Sequence, residues 1–226
     1  MEKTSHYIPM LCLALLALTA CKKMDSTYKK FVVPDGIFYT GKANQPQVHS
    51  GRNRAKITWL RNADPSVVTA KIFWNNYTDS ISVTVPPAGD TISCIIPDLP
   101  EKTYSFIIKT YDGQGHSSVP TEVFGTSYGE IYQSGLLPRV VLGTVLYPDS
   151  VVITWSSADI SNGAIATELK YTDVQNAEQI NSFPVSRNTS TIRYLKPGTS
   201  FRYRTVFLPD SMSIDTFYTD YVTGTP

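Results

Sequence analysis

The chain has 226 residues, with 20 Lys and Arg against 19 Asp and Glu and a formal net charge of +1. That balance gives no global electrostatic case for nucleic acid or an anionic lipid surface as a partner. Charged residues make up only 17% of the chain, and 14 tyrosines beside abundant Thr, Ser and Val favour strands over helices.

The first element in the chain is a targeting signal. Met1–Tyr7 carry one lysine, Lys3, and the apolar run Leu11-Cys12-Leu13-Ala14-Leu15-Leu16-Ala17-Leu18 then leads through Thr19-Ala20 to Cys21. A positive start, an apolar run too short to span a bilayer and small residues before a cysteine predict a secretory signal over residues 1–20. An ordinary signal peptide and a buried strand are the alternatives. The ending Leu18-Thr19-Ala20-Cys21 resembles a bacterial lipobox. The resemblance implies cleavage before Cys21, lipidation of Cys21 and a lipidated tether over residues 21–35. Several acyl chains on one cysteine anchor a protein stably, because each buried CH₂ contributes about 0.8 kcal/mol. Lys22 rather than Asp after the cysteine implies, by the sorting rule of enteric bacteria, the outer membrane, on its periplasmic or cell-surface face. No other run is long and apolar enough for a membrane helix.

Cys12 leaves with the signal and Cys21 is expected to be acylated, so Cys94 is the remaining free thiol and no intramolecular disulfide is expected. Stability must then come from apolar cores. Cys94 lies in Ile92-Ser93-Cys94-Ile95-Ile96, on the strand face of Ile92 and Ile96, which predicts a buried core thiol rather than a reactive one.

Strand-like runs separated by turns follow. Ala55-Lys56-Ile57-Thr58-Trp59, Ala70-Lys71-Ile72-Phe73-Trp74 and Tyr104-Ser105-Phe106-Ile107-Ile108 alternate or are β-rich. Pro86-Pro87-Ala88-Gly89-Asp90 and Asp112-Gly113-Gln114-Gly115 read as turns. No segment reads as a convincing helix; Asn162 to Ile180 has a weak helical pattern that fits strands and a loop better. The run then repeats. Lys56-Ile57-Thr58-Trp59 matches Val152-Ile153-Thr154-Trp155, Ala70-Ile72-Trp74 matches Thr167-Leu169-Tyr171, and Leu99 to Tyr104 matches Leu195 to Phe201. All three offsets are 96 or 97 residues. One offset kept by three landmarks predicts a duplicated domain. The expected boundaries are 36–130 and 131–226, with a join near Tyr128-Gly129 to Leu137-Pro138.

About seven short strands, an early tryptophan and a later Leu-x-Pro-Gly-Thr-x-aromatic turn resemble the fibronectin type III domain. The resemblance implies an all-β fold, two tandem fibronectin type III-like (immunoglobulin-like) β-sandwiches. It also implies Trp59 and Trp155 packed between sheets. Tyr104 would supply the hydroxyl of the tyrosine corner, the residue that bonds back to the backbone before the sixth strand. Phe201 lacks that hydroxyl, so the second corner would be weakened or rebuilt around Tyr203. Tyr39-Thr40-Gly41-Lys42-Ala43, Ser50-Gly51-Arg52-Asn53-Arg54, Asp64-Pro65 with Ala70 to Asn76, and Ser118-Val119-Pro120 with Tyr128-Gly129 are similar to a family of Bacteroidota lipoproteins described as a domain of unknown function. Members often belong to outer-membrane systems that capture and degrade glycans, which implies a location and a neighbourhood.

The residues for common chemistries do not line up. After the signal only His49, in an early loop, and His116, in the Asp112–Ser118 hairpin, remain, and no His-x-x-x-His or Cys-x-x-Cys spacing occurs, so no metal, cofactor or catalytic set is expected. Carboxylates such as Asp64 and Asp112 sit beside turn residues, where turn chemistry explains them. Asp112-Gly113-Gln114-Gly115-His116 reads as a tight hairpin, with a loop-tip calcium or ligand site as the alternative.

Strand alternation places Ile72, Trp74, Tyr104, Phe106 and Ile108 inward and sends Lys71, Phe73, Ser105, Ile107, Lys109 and Tyr111 outward on one sheet. Phe73, Ile107 and Tyr111 with Lys109 form the candidate binding surface, an apolar patch flanked by lysines and suited to sugar stacking. Cover by the second domain or by residues 31–38 is the alternative. In the second copy Lys170, Arg202 and Arg204 point outward as a candidate basic stripe, either a solvated face or a site for an acidic glycan or partner. Asp-hydroxyl-apolar tripeptides at Ser80, Thr91, Ser150 and Ser211 resemble the O-glycosylation site of exported Bacteroidota proteins, and equally the entry of a turn into a strand. The expected function is a non-catalytic envelope lipoprotein, held to the membrane through its N-terminal lipid, that binds glycan or a partner protein at the outer membrane. A structural or adhesion spacer that docks outer-membrane components is the alternative.

Overall fold

The structure, a computed structural model, describes residue 36 and residues 38–226. The signal over 1–20, the lipidation residue Cys21 and nearly all of the 21–35 tether with its flank lie outside the described residues. Thr40–Pro226 form one compact unit.

The first set of strands is β1 (Asn44–Gly51), β2 (Arg54–Leu60), β3 (Val67–Trp74), β4 (Asp79–Thr84), β5 (Thr91–Ile96), β6 (Lys102–Asp112) and β7 (Thr121–Ser127). They pair antiparallel into two sheets, β1-β2-β5 and β4-β3-β6-β7. The sequence dictates which faces meet. In β2 every second residue, Ala55, Ile57 and Trp59, is buried, while the alternating partners Lys56 and Thr58 are not. These face Ile72 of β3 and Phe106 and Ile108 of β6, all fully buried, across the space between the sheets. Trp74 is only partly buried at the edge of this core. Cys94, expected in the core, is likewise only partly buried against it between Ile92 and Ile96, and that burial pushes its thiol pKa up.

The second set is β8 (Val141–Leu146), β9 (Ser150–Trp155), β10 (Ala164–Thr172), β11 (Glu178–Pro184), β12 (Thr189–Arg193), β13 (Phe201–Phe207), β14 (Phe217–Tyr218) and β15 (Val222–Gly224). Its sheets run β8-β9-β12 and β11-β10-β13, with both β14 and β15 pairing β13. The order repeats that of the first set strand for strand, so the fold is two tandem fibronectin type III-like β-sandwiches. Val151, Ile153 and Trp155 take the positions of Ala55, Ile57 and Trp59. The copies share a defect as well. The β3–β6 register slips between Val67 and Thr69, and the β10–β13 register slips between Ala164 and Ala166. At both places this β-bulge puts residues three apart, Val67 with Ala70 and Ala164 with Thr167, on the buried face.

Two expectations are corrected. His49 lies within β1, not in a loop. A helix does exist, α1 (Glu130–Ser134), joining the two sandwiches. Five residues are too few to hold a helix by propensity, and it is held from outside: the Glu101 carboxylate accepts from the N–H groups of Ile131 and Tyr132, both at 2.7 Å. The last strand of the second sandwich is broken into β14 and β15, and the segment before β14 runs against the first sandwich.

Candidate binding face and the junction between the repeats

The outer face of the β4-β3-β6-β7 sheet carries the expected aromatic residues. Phe73 pairs across strands with Ile107, Lys71 with Lys109, and Thr69 with Tyr111. Phe73, Ile107, Lys109 and Tyr111 therefore share one face, each half-buried. The register corrects their arrangement: the Lys71–Lys109 row lies between the Phe73–Ile107 row and Tyr111, so the lysines divide the apolar surface instead of flanking it. Two like charges directly opposed on a sheet repel. Here aromatic rings offset part of that cost, with Lys71 Nζ 5.1 Å from the Phe73 ring centre and Lys109 Nζ 6.0 Å from that of Tyr77.

Tyr77 is the residue that sequence reasoning missed. It lies in the β3–β4 turn, in which Asn75, Asn76 and Tyr77 all adopt the left-handed conformation, at φ 50°, 54° and 64°. Asparagine takes this conformation readily, but a tyrosine does so at a cost. The turn folds the Tyr77 ring back over the sheet, 5.0 Å from Phe73 at 52°, while leaving it 49% exposed. Two consecutive asparagines were the only signal of this turn, and nothing in the sequence said where the ring after them would go. A cleft of about 400 Å³ adjoins it, lined by Trp74, Tyr77 and Ile107 with Lys102, Ser105 and Glu122. Within it the Ser105 hydroxyl donates to the Glu122 carboxylate. The partners described for this face, Tyr77, Lys71, Lys109 and Glu122, all belong to the first sandwich. The other cover considered, residues 31–38, falls almost wholly outside the described residues.

The basic stripe is brought together but is not a free cationic surface. Lys170 pairs across strands with Arg202, and Glu168 with Arg204. Lys170 Nζ lies 2.8 Å from Glu178, and Arg204 Nε donates to Glu168 at 2.7 Å. The Tyr221 hydroxyl also donates to Glu168. Burial opposes ionisation of Glu168, but the hydrogen bonds from Arg204 and Tyr221 outweigh it and hold the carboxyl below its usual range. The Arg204 guanidinium stacks 3.9 Å over Tyr218, and Arg202 lies 4.8 Å over Tyr221. Two of the three cations thus already have carboxylate partners, which outward-facing spacing alone did not reveal.

Ser80, Thr91 and Ser150 each stand at or one residue into the start of a strand, and Ser211 lies in the exposed segment before β14. The Asp112–Ser118 loop is a tight hairpin. Asp112 accepts from the N–H groups of Gln114 and His116 through one oxygen and meets His116 Nδ1 at 2.7 Å through the other.

The junction is held by side-chain and backbone hydrogen bonds and by ring contacts. Asp215 receives Arg54 through both carboxylate oxygens, at 2.8 and 2.6 Å, and the Arg52 N–H at 2.8 Å. The Ile214 N–H donates to the Ser50 carbonyl at 2.7 Å, and His49 Nδ1 lies 3.3 Å from the Met212 carbonyl. Beside these bonds the Arg52 guanidinium stacks 4.2 Å over Phe217. Tyr132 meets Tyr128 and Phe217 at 4.9 and 5.0 Å. With Leu136, Ala164 and Phe207 these rings form a third apolar core between the two sandwich cores. Burial, then the neighbouring Tyr128, pushes the Tyr132 phenol up to about 12.

Residues 21–217 match the DUF4998 family, described as a domain of unknown function. The chain belongs to that family. The matched span crosses both sandwiches and ends at Phe217, in the junction core, so the DUF4998 unit is the joined pair and not a single repeat. The comparison with curated proteins finds no match. Among solved structures, a two-domain fibronectin type III segment of chicken tenascin is 11% identical, with a TM-score of 0.33, and covers 81% of this chain and 98% of its own. The first three fibronectin domains of chicken CNTN1 are 13% identical, with a TM-score of 0.44, and cover 84% of this chain and 69% of their own. The fibronectin-like assignment of the DUF4998 chain rests on its strand order.

Proposed function

We propose that this protein is a non-catalytic, lipid-anchored module of the cell envelope that binds glycan through the outer face of the β4-β3-β6-β7 sheet, as an accessory to polysaccharide capture at the outer membrane. The observation that carries this reading is the exposed ring of Tyr77 with the half-buried rings of Phe73 and Tyr111 around the opposed Lys71–Lys109 pair, beside the Lys102–Glu122 cleft. Flat aromatic faces stack on the apolar faces of pyranose rings, and two adjacent ammonium groups favour a sugar bearing anionic groups. The lipid on Cys21 would hold this face at the membrane. Glycan arrays followed by affinity electrophoresis test the binding. Phe73→Ala/Tyr111→Ala is expected to abolish retention by the recognised glycan with an unchanged melting temperature. A destabilised double variant, or no glycan retained by the wild type, overturns the reading. Cys21→Ser should move the protein from the membrane fraction to the soluble one.

A second reading, a spacer or adhesion module that holds other envelope components at a set distance, draws support from the junction, where Asp215, Phe217 and Tyr132 tie the repeats together. It predicts a partner protein covering Phe73 and Tyr111. Modification at Ser80, Thr91, Ser150 and Ser211 is a separate proposal. Intact-mass spectrometry of the native lipoprotein checks it, and a mass equal to protein plus lipid removes it.

A further inference from the structure

The second sandwich supplies an internal comparison for the lysine row of the first. In both copies the third strand pairs with the sixth through two buried residues, Ile72 with Ile108 and Leu169 with Tyr203. One residue earlier on β3 and β10 stands an outward pair. It is Lys71 with Lys109 in the first copy and Glu168 with Arg204 in the second.

The second copy neutralises itself at this position. Arg204 Nε donates to Glu168 at 2.7 Å, and the next cation, Lys170, meets Glu178 of the neighbouring strand at 2.8 Å. The first copy does not. Among the described residues neither Lys71 nor Lys109 has an ion pair or a hydrogen bond, and their ammonium groups meet only the rings of Phe73 and Tyr77. The neighbouring strands offer this row no carboxylate either. On β4, Ser82 opposes Lys71, with Ser80 and Thr84 on the same face, all three exposed. On β7, Glu122 opposes Ile107 one row away, and its carboxylate accepts from the Ser105 hydroxyl. Two opposed ammonium groups repel unless an anion lies between them.

We propose that the Lys71–Lys109 pair is an anion subsite and that this face takes an acidic polysaccharide, whose carboxylate or sulfate does for the two lysines what Glu168 does for Arg204. The inference rests on glycan binding by this face. Charge complementarity selects the occupant, because ammonium groups left without a carboxylate form strong charge-assisted hydrogen bonds to an anionic oxygen. The rings place it. Outward rows of a sheet lie about 7 Å apart, so the lysine row is one step from the Phe73 row on one side and from Tyr111 on the other. A sugar stacked on either set of rings brings its acidic group to the ammonium pair.

Affinity electrophoresis of the full protein against matched polymers tests the proposal: polygalacturonate with its methyl ester, and dextran sulfate with dextran. The members of each pair share a sugar backbone and differ in charge. At least one acidic polymer should retain the wild type about tenfold more strongly than its neutral partner, with retention falling as salt rises. Retention by polygalacturonate alone marks a carboxylate, and by dextran sulfate alone a sulfate. Lys71→Gln/Lys109→Gln should remove the preference without lowering the melting temperature, since it relieves the opposed charges. Phe73→Ala/Tyr111→Ala keeps both lysines and should lose retention as well. If that ring variant is still retained, the attraction is charge alone and the subsite on the glycan face is overturned. Neutral polymers retained as strongly as acidic ones, or a preference that survives the lysine variant, overturn the anion subsite and leave glycan binding standing. A wild type retained by none of the four overturns the subsite too, and binding of neutral sugars on the glycan array then decides the reading beneath it.

Discussion

At the scale of single residues, the clearest agreement between sequence and structure is Tyr104. The resemblance to the fibronectin type III turn assigned it the tyrosine corner, and its hydroxyl donates to the Pro100 carbonyl four residues back, at 2.8 Å. Tyr104→Phe removes that bond and little else, so it should cost about 1 kcal/mol in urea unfolding. Position 201 shows the limit of the analogy. Phe201 is fully buried and Tyr203 does not rebuild the corner. Tyr203 instead packs edge-on against Trp155 at 5.1 Å, with its hydroxyl bonded to the Val141 backbone. The second sandwich thus ties its tyrosine to the opposite sheet. Gly163 gives a sharper prediction. It sits at φ 92° after a single 3-10 turn at Ile160–Asn162, and a Cβ there would stand 2.1 Å from the Leu208 carbonyl oxygen. Gly163→Ala should destabilise by clearly more than the roughly 1 kcal/mol that left-handed backbone costs alanine, because a backbone atom must also move. Thermal unfolding measures it.

At the scale of elements, the strands were legible and their connections were not. β2, β6, β9 and β13 announce themselves by alternation, because burial on one face of a sheet imposes a period of two on the sequence. α1 left no comparable trace. Its five residues are fixed by a carboxylate some thirty positions away, and no local pattern encodes Glu101 accepting from Ile131 and Tyr132. Glu101→Gln keeps the shape but offers one carbonyl oxygen where two carboxylate oxygens accepted. Amide exchange at Ile131 and Tyr132 should accelerate, with a loss of about 1 kcal/mol in global stability. The candidate face divides in the same way. Strand period put Phe73, Ile107 and Tyr111 on one side of a sheet, but cross-strand register put the two lysines between them. In the second sandwich the same kind of face assignment found Lys170, Arg202 and Arg204. It could not find Glu178 on the neighbouring strand, or Tyr218 and Tyr221 stacked beneath the guanidinium groups.

At the scale of the whole molecule, the third apolar core and the Arg54–Asp215 pair make one body of two repeats. Asp215 lies below the ordinary carboxylate value of 3.8, chiefly through its hydrogen bonds from Arg54, against the opposing effect of burial. A carboxyl whose pKa is depressed on folding contributes stability that is present above its unfolded value and lost as pH falls through the folded one. Small-angle scattering should therefore fit one arrangement of the sandwiches at neutral pH. The pair-distance distribution should broaden once the pH drops below about 4, the unfolded carboxylate range. Asp215→Asn should show the broadened distribution at neutral pH and remove the acid step. If the variant and the wild type scatter identically at both pH values, the junction does not depend on this carboxylate.

The sequence by itself determined that there would be two β-sandwiches, which tryptophans fill them and which side chains leave the sheet. All of these follow from local periodicity and from one duplication offset. Only the tertiary structure decided the bulge that both copies share, the lysine row inside the aromatic face, the carboxylates that pair with Lys170 and Arg204 of the basic stripe and the junction built from residues 49–54, 128–136 and 212–217. Each of these depends on register or on contacts between residues far apart in the chain, and a contact of that kind leaves no periodic mark on either partner.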